Sequence, residues 1–377
     1  MRAALRAWGA ADRLGLGRPD FDEARLIADA RRRTGLHHFG DDGFRVPMRK
    51  LLAAFEDEAD LHLLGRSVLR AATVRALETR LRLEHLCDLR PEIAARPVER
   101  PVFITGMQRT GTTKLHRLLS CAPELRHLTS VEALHPAPTG RPVPDDPEDR
   151  ARRRRFAKNA ERGMRYLSPP LFAIHPIEAD SPEEDVFLFD VTFVSPAVDA
   201  SLSVPSYTRW IREIDQKPPY AYVRRLIQLL LWQRPGRYLG KTPHYQENLD
   251  VLLEVFPDAK IIHTHRDPRK VVPSFSSMMA HTGALLSRRH EPNEIGRRVM
   301  EQMASSGDRA IAARDGAPEG ALLDVHYDAL VAEPLGQLRR IYDFLELEWS
   351  PEAVGRMERW IRRRPSPRTP WVRAPVR

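Results

Sequence analysis

The sequence predicts an α/β fold, a central and mainly parallel sheet flanked by helices and preceded by a helical extension. Three observations carry this. From about residue 100 onward, short apolar runs alternate with segments of helical periodicity, the pattern of βαβ units. A glycine loop joins the first of those runs directly to a helix. Before residue 100, apolar side chains recur at three- and four-residue steps with few strand signals.

Taken in order, helical patterns cover residues 21–30, 48–59 and 61–86, and Pro91 and Pro97 close this region. Strands are expected over 101–105, 237–241, 260–265 and 321–326. Helices are expected to open at Thr112, Gln246, Pro268 and Glu333; a proline such as Pro268 fits a first helical turn, where its missing N–H costs nothing. A polar, proline-rich loop over 142–149 leads into the basic run 152–155. The expected organisation is a helical extension (1–100), an α/β domain (101–361) and a proline- and arginine-rich tail (362–377).

Composition narrows the function classes. The 377 residues carry a formal charge of +9 and 42% hydrophobic residues. No run of about 18 apolar residues is present, so no spanning helix is expected. The start of the chain meets Asp12 and Arg13 before a secretory apolar region can form. Two cysteines, Cys87 and Cys121, make no disulfide framework and suit a reducing compartment, with the cytoplasm as the expected location. The basic runs 152–155 and 362–364 lack interleaved aromatics, so a nucleic-acid platform is not expected. An enzyme with an anionic nucleotide substrate accounts for the sign of the charge.

The chemistry begins at Met107-Gln-Arg-Thr-Gly111-Thr112-Thr113, straight after the first strand. Gly106 and Gly111 let the backbone turn tightly beside an anion, and the helix opened by Thr112 and Thr113 directs free N–H groups at it. The spacing is that of a P-loop, but Thr112 stands where GxxxxGK[ST] has lysine. The cation lies inside the loop instead, at Arg109. Such a loop suits a terminal anion of lower charge than a γ-phosphate, sulfate being the obvious one. Two further basic groups, Lys241 and Arg266, end other predicted strands, and ligands bind at the carboxyl ends of parallel strands. Ser274 follows Arg266 by eight residues on the next helix, so the two can grip one phosphate from two directions.

At this point the sequence resembles the P-loop-like sulfotransferases that use 3′-phosphoadenosine-5′-phosphosulfate (PAPS), with most likeness to the bacterial family that also resembles tyrosylprotein sulfotransferases. The likeness runs over residues 100–360. It includes Phe103-Ile-Thr-Gly-Met-Gln-Arg-Thr-Gly-Thr-Thr113, Val204-Pro-Ser-Tyr-Thr-Arg-Trp210 and Leu239-Gly-Lys-Thr-Pro-His244, and continues through Phe256-Pro-Asp-Ala-Lys-Ile-Ile-His-Thr-His-Arg-Asp-Pro268 and Tyr327-Asp-Ala-Leu-Val331. It implies a P-loop-NTPase-like sheet. It also implies that Arg109, Thr110, Gly111, Thr112 and Thr113 hold the 5′-phosphosulfate, and that Arg266 and Ser274 hold the 3′-phosphate. One departure concerns the C-terminus. Family members close the nucleotide site with a glycine- and lysine/arginine-rich segment, whereas residues 362–377 contain no glycine and four prolines.

Sulfuryl transfer is an in-line displacement to an acceptor hydroxyl or amine, here of a small or lipid-like molecule of specialised metabolism. Protein cations can stabilise its charge, and no metal is expected. Arg109 and Lys241 are assigned this task. A base must take the acceptor's proton. Glu132 is the first choice and His175 the second, with His135, Glu183, Glu184 and His244 as further candidates. Tyr207 and Trp210 are candidates for an acceptor pocket. Two other readings stay open. An ATP-dependent small-molecule kinase with a degenerate P-loop would need lysine after Gly111 and a Mg²⁺-binding acid at a neighbouring strand end. A non-enzymatic nucleotide- or polyanion-binding protein would bind without turnover.

Overall fold

In the computed structural model, which describes residues 17–169, 172, 177–289 and 291–363, three helices come first: α1 (Glu23–Thr34), α2 (Arg45–Asp57) and α3 (Leu63–Leu89). The Asp22 carboxylate accepts the Arg25 N–H to start α1, and Gly35, in the left-handed region, ends it. Then follow β1 (Val102–Gly106), α4 (Thr112–Leu119), β2 (Leu125–His127), α5 (Ser130–Leu134) and α6 (Pro147–Leu167). Beyond three short helical segments, Val186–Phe189, Asp190–Thr192 and Pro196–Ser201, come α7 (Pro205–Glu213), α8 (Lys217–Gln233) and β3 (Arg237–Lys241). The chain continues through α9 (Leu249–Val255), β4 (Lys260–His265), α10 (Pro268–Leu286), α11 (Pro292–Arg314) and β5 (Leu322–His326). It closes with α12 (Tyr327–Ala332), α13 (Pro334–Leu345) and α14 (Pro351–Arg363).

All five strands are parallel, in the order β2-β3-β1-β4-β5. The chain leaves β1 for the β2 edge, returns through β3, and crosses over β1 to reach β4. The crossing makes the carboxyl end of β1 a switch point, where open parallel sheets form their ligand crevice. Register fixes what meets there: Ile104 pairs with Lys241, and Gly106 with Thr264.

Both faces of the sheet are covered, which is why its strands read as apolar runs rather than alternations. On one face Phe103 and Ile261 pack with side chains of α3, α8 and α9. On the other, Val102, Ile104, Ile262 and Val325 pack with α4, α13 and α14.

Four predicted strands are present within a residue of their expected ends. The three-residue edge strand β2 is additional; it is too short to leave a periodic signal. The helix expected at Gln246 starts instead as a 3-10 turn over Pro243–Asn248, where Pro243 occupies the first turn and Thr242 caps His244. Before the helix near Glu333, the short α12 intervenes.

The N-terminal helices form a core of their own, completed by Phe193, Val194, Leu202, Val204, Tyr207 and Ile211. This corrects the expectation for the aromatic pair. Tyr207 is only 1% exposed, and its hydroxyl donates to the Phe193 carbonyl and accepts the Ser195 N–H, both at 2.7 Å. Trp210 packs against it at 6.1 Å between ring centroids. Tyr207 is a member of that apolar core, and Trp210, partly buried, packs against it.

The extension meets the α/β part where α3 passes α10. The His62 N–H donates to the Leu286 carbonyl at 3.3 Å, and a Cβ placed on Gly65 would lie 1.9 Å from that oxygen. Gly65→Ala is therefore expected to destabilise the fold by about 1–3 kcal/mol in urea unfolding. An unchanged midpoint would show that this crossing is not close-packed.

Candidate active site

The loop after β1 is shaped by contacts that only small residues allow. A Cβ on Gly106 would sit 2.3 Å from the Thr264 hydroxyl, so β4 and the loop approach backbone to side chain. Gly111 caps α4 at φ 92°, and a Cβ there would strike the Tyr327 ring at 2.8 Å. Thr110 is buried; its hydroxyl lies 2.6 Å from both the Met107 carbonyl and the Thr264 hydroxyl, which holds the turn shut. Beyond Gly111, the first N–H groups of α4 have no partner within the helix and face the loop.

Arg109 stands at φ 68°, a left-handed conformation that costs a non-glycine residue on the order of 1 kcal/mol. Two contacts hold it there. Its carbonyl accepts from the Arg266 guanidinium at 3.0 Å, and its own Nε donates to the Ser274 hydroxyl at 3.1 Å. The Arg266 guanidinium also lies 4.0 Å from the centroid of the Tyr327 ring. Arg266 and Ser274, which sequence spacing linked, thus form one cluster with Arg109, which the sequence had placed with the 5′-phosphosulfate. Neither guanidinium has an acidic partner among the described residues. Burial, and then the charge of Arg266, lower the pKa of Arg109. The Nε of Arg266 is buried with no hydrogen-bond partner. Two adjacent cations with an unused buried donor form a site for an anion.

On the opposite side of β1, Lys241 ends β3 at 2% exposure. Its ammonium pairs with the Glu184 carboxylate and lies 3.5 Å from the Thr113 hydroxyl. Strand spacing puts β3 and β4 about 10 Å apart across β1. The loop therefore spans two cationic groups, Arg109 with Arg266 at one end and Lys241 at the other. Thr112 is buried at the start of α4.

Glu184 is held by its neighbour. The Asp185 N–H donates to the Lys241 carbonyl at 2.9 Å, and the Asp185 carboxyl accepts from Tyr238 at 2.7 Å and Tyr245 at 2.6 Å. Burial pushes this carboxyl up to about 7, against the pull of the two hydroxyls and the Lys241 charge. Gly240 leaves room for it, since a Cβ there would fall 2.1 Å from the Asp185 oxygen.

The other candidate bases are placed differently. Glu132 completes a capping box: its Oε2 accepts from the N–H and hydroxyl of Thr129, both at 2.9 Å, while Oε1 pairs with Arg126. Burial opposes its ionisation, but the charge of Arg126 and the Thr129 N–H outweigh this and keep its pKa below the usual range. Its oxygens are thus engaged in fixing α5. His135 packs on Phe156, and burial followed by the charges of Arg75 and Arg153 bring it down to about 4. Glu183 accepts from the Ser130 hydroxyl at 3.1 Å and the Glu184 N–H at 3.0 Å. His244 is buried 3.6 Å from Glu247. His175 and Arg364 lie outside the described residues, and Arg362 pairs along α14 with Glu358 at 3.4 Å.

Sequence reasoning assigned no role to Tyr327 or Asp185. Tyr327 directly follows β5, so the strand-end rule that drew attention to Arg266 would have found it. Asp185 had no such signal, because its partners Tyr238 and Tyr245 are remote in the chain. A separate group, His263, His265 and Asp324, gathers three potential metal ligands on β4 and β5. The cation present there is Arg314, bidentate to Asp324 at 2.9 and 2.7 Å and 2.9 Å from His263 Nδ1.

Comparison with known proteins bears on the family and the fold. A family model described as the sulfotransferase family matches residues 101–351. Omega-hydroxy-beta-dihydromenaquinone-9 sulfotransferase Stf3 of Mycobacterium bovis is 29% identical over 266 residues, covering 66% of this chain and 63% of that protein. The chain thus spans under two thirds of the length of that relative. The crystal structure of sulfotransferase STF1 from Mycobacterium tuberculosis H37Rv is similar at TM-score 0.80 and 30% identity, over 89% of this chain and 92% of that one. Sulfotransferase STF9 from Mycobacterium avium is similar at TM-score 0.82 and 29% identity, over 92% and 89%.

Asp185 supplies a pH test. Its folded pKa of about 7 exceeds that of an unfolded aspartate, so the folded state retains the proton between the two values. Its contribution to stability therefore falls as pH rises from about 4 to about 7. Relative to the wild type, Asp185→Asn should gain more than about 1 kcal/mol in urea unfolding over that window. A difference that stays flat with pH would contradict the buried, proton-holding carboxyl.

Proposed function

The chain belongs to the sulfotransferase family, and we propose that it transfers a sulfuryl group from PAPS to a hydroxyl, or an amine, of a small or lipid-like acceptor. The observation that carries this reading is the pair of cationic groups flanking a lysine-free glycine loop, one of them with an unused buried donor on Arg266. A sulfonate donor follows from the family. PAPS in particular is favoured because a carrier with phosphate groups at both its 3′ and 5′ positions can engage both groups. The acceptor class is favoured by likeness to Stf3, whose name gives an ω-hydroxylated dihydromenaquinone.

In this mechanism the loop N–H groups from Thr110 to Thr113 cradle the 5′-phosphosulfate, and Arg266 with Ser274 takes the 3′-phosphate. Arg109 lies between these positions and neutralises charge toward either. The acceptor oxygen attacks sulfur in line, the bond from sulfur to the leaving phosphate oxygen breaks, and the acceptor's proton moves to a carboxylate. We assign that proton to Glu184 in place of Glu132. Glu184 sits beside Lys241 and Thr113, whereas both oxygens of Glu132 are committed to Arg126 and Thr129. Lys241 stabilises the charge that develops on the leaving phosphate. The kinase reading is disfavoured by Thr112 in the lysine position and by basic groups, Lys241 and Arg266, where a Mg²⁺-binding acid is needed.

Initial rates of labelled sulfate transfer to a long-chain alcohol test these roles. Lys241→Ala and Glu184→Gln should each lower kcat on the order of 100-fold or more, with Glu132→Gln within about threefold of wild type. The opposite ranking of the two glutamates would restore Glu132 as the base. Arg266→Ala should weaken binding of the desulfated product, 3′-phosphoadenosine-5′-phosphate (PAP), by roughly 10- to 100-fold and leave adenosine 5′-phosphate little changed. Equal losses for both nucleotides would place the 3′-phosphate elsewhere.

A further inference from the structure

Helix α6 has a surface that the proposed chemistry does not use. It carries eight basic residues against three acidic ones. Its buried side, Asp149, Arg153 and Ala157, packs inward. On the far side Arg152, Arg155, Asn159, Arg162 and Tyr166 recur at alternating three- and four-residue steps, and all five are exposed. Among the described residues neither Arg155 nor Arg162 has an acidic partner; Arg162 reaches only Asn159, at 3.4 Å. Three of the nine large apolar side chains that are exposed among the described residues, Phe156, Tyr166 and Leu167, also lie on this helix. Tyr166 is 52% exposed and continues the arginine stripe.

Arg152 pairs with Asp149 at 2.6 Å, which leaves Arg155 and Arg162 unneutralised; two such arginines with an aromatic in line and apolar groups on the flank are the composition of an interfacial helix. Arginine meets anionic head groups, and tyrosine sits at their level with its ring toward the acyl region. We propose that α6 docks on an anionic phospholipid bilayer. This rests on the lipid-like acceptor proposed above, and the fold ties the two together. Arg154 holds Asp180 at 2.9 and 2.7 Å, and Glu161 accepts the Ala179 N–H at 3.1 Å. Four residues beyond Asp180 stands Glu184, paired with Lys241. The helix that faces the membrane therefore supports the segment that carries the proposed base, so docking sets the site beside the layer that holds the acceptor.

The test is co-sedimentation of the full chain with vesicles of equal parts phosphatidylglycerol and phosphatidylcholine, compared with phosphatidylcholine alone. The wild type should bind the anionic vesicles, lose that binding at high salt, and ignore the neutral ones. Each cation at such a surface strengthens partitioning roughly fivefold, so the double variant Arg155→Glu/Arg162→Glu should weaken it by roughly twentyfold or more. Tyr166→Ser should weaken it further at unchanged charge. Retained PAP binding, and unchanged sulfation of a soluble alcohol, would show that both variants are folded. Equal partitioning of wild type and double variant, or no vesicle binding by the wild type, overturns the proposal. So does capture by nucleic acid in preference to vesicles. Failure here with intact PAP binding and turnover would leave the sulfotransferase reading standing, whereas loss of PAP binding by the wild type would remove that reading first.

Discussion

The Arg266 guanidinium donates to the carbonyl of Arg109, and most of the site depends on that bond. It ties the end of β4 to a loop that begins on β1, and it keeps Arg109 in a left-handed conformation the residue would not adopt unaided. It also brings two positive groups together with no acid between them. Folding leaves Arg109 in deficit, because burial and the charge of Arg266 both disfavour its charge. An anion binding there supplies the missing partner. The same arrangement recurs with a different solution on the other side of β1. There Lys241 is buried as well, but Glu184 neutralises it. The loop is thus strung between a cationic group that needs a ligand and one already coupled to a carboxylate, and the second is where a proton can be received.

The order of the sheet explains why these groups meet. Lys241, the loop and Arg266 are far apart in sequence, yet β3, β1 and β4 are neighbours, and the carboxyl end of each contributes one of them. This much was legible in advance. Apolar runs marked the strands, Gly106 and Gly111 marked the turn, and basic residues at strand ends marked the crevice. What could not be read was anything that depended on partners remote in the chain. The tyrosines that hold Asp185 lie 53 and 60 residues away. The packing of residues 193–211 against the N-terminal helices made Tyr207 a core residue, although its local sequence gave no sign of it.

Glu132 shows a different limit. Its position beyond the loop helix suggested a base, and its carboxylate stands partly buried near the sheet edge. The short signal Thr129-x-x-Glu132 is, however, a capping-box pattern, and the helix it starts uses both the side chain and its charge. Where one residue satisfies both a local structural motif and a loose functional one, the local motif has the stronger physical claim, because its partners are adjacent and always present. Glu184 had no local motif to explain it. Its pairing with Lys241 arises only when β3 and the segment after Pro182 come together, with Asp185 anchored to the Lys241 carbonyl.

The central claim is that this crevice recognises a doubly phosphorylated adenosine carrier through protein cations and not a nucleoside triphosphate through a metal. Calorimetric titration of the wild-type chain with PAP and, separately, with ATP and Mg²⁺ tests it most directly. The account predicts one PAP per chain, bound at least about 100-fold more tightly than ATP, a difference of nearly 3 kcal/mol. Binding of ATP as tight as that of PAP, or no measurable PAP binding at all, would contradict it.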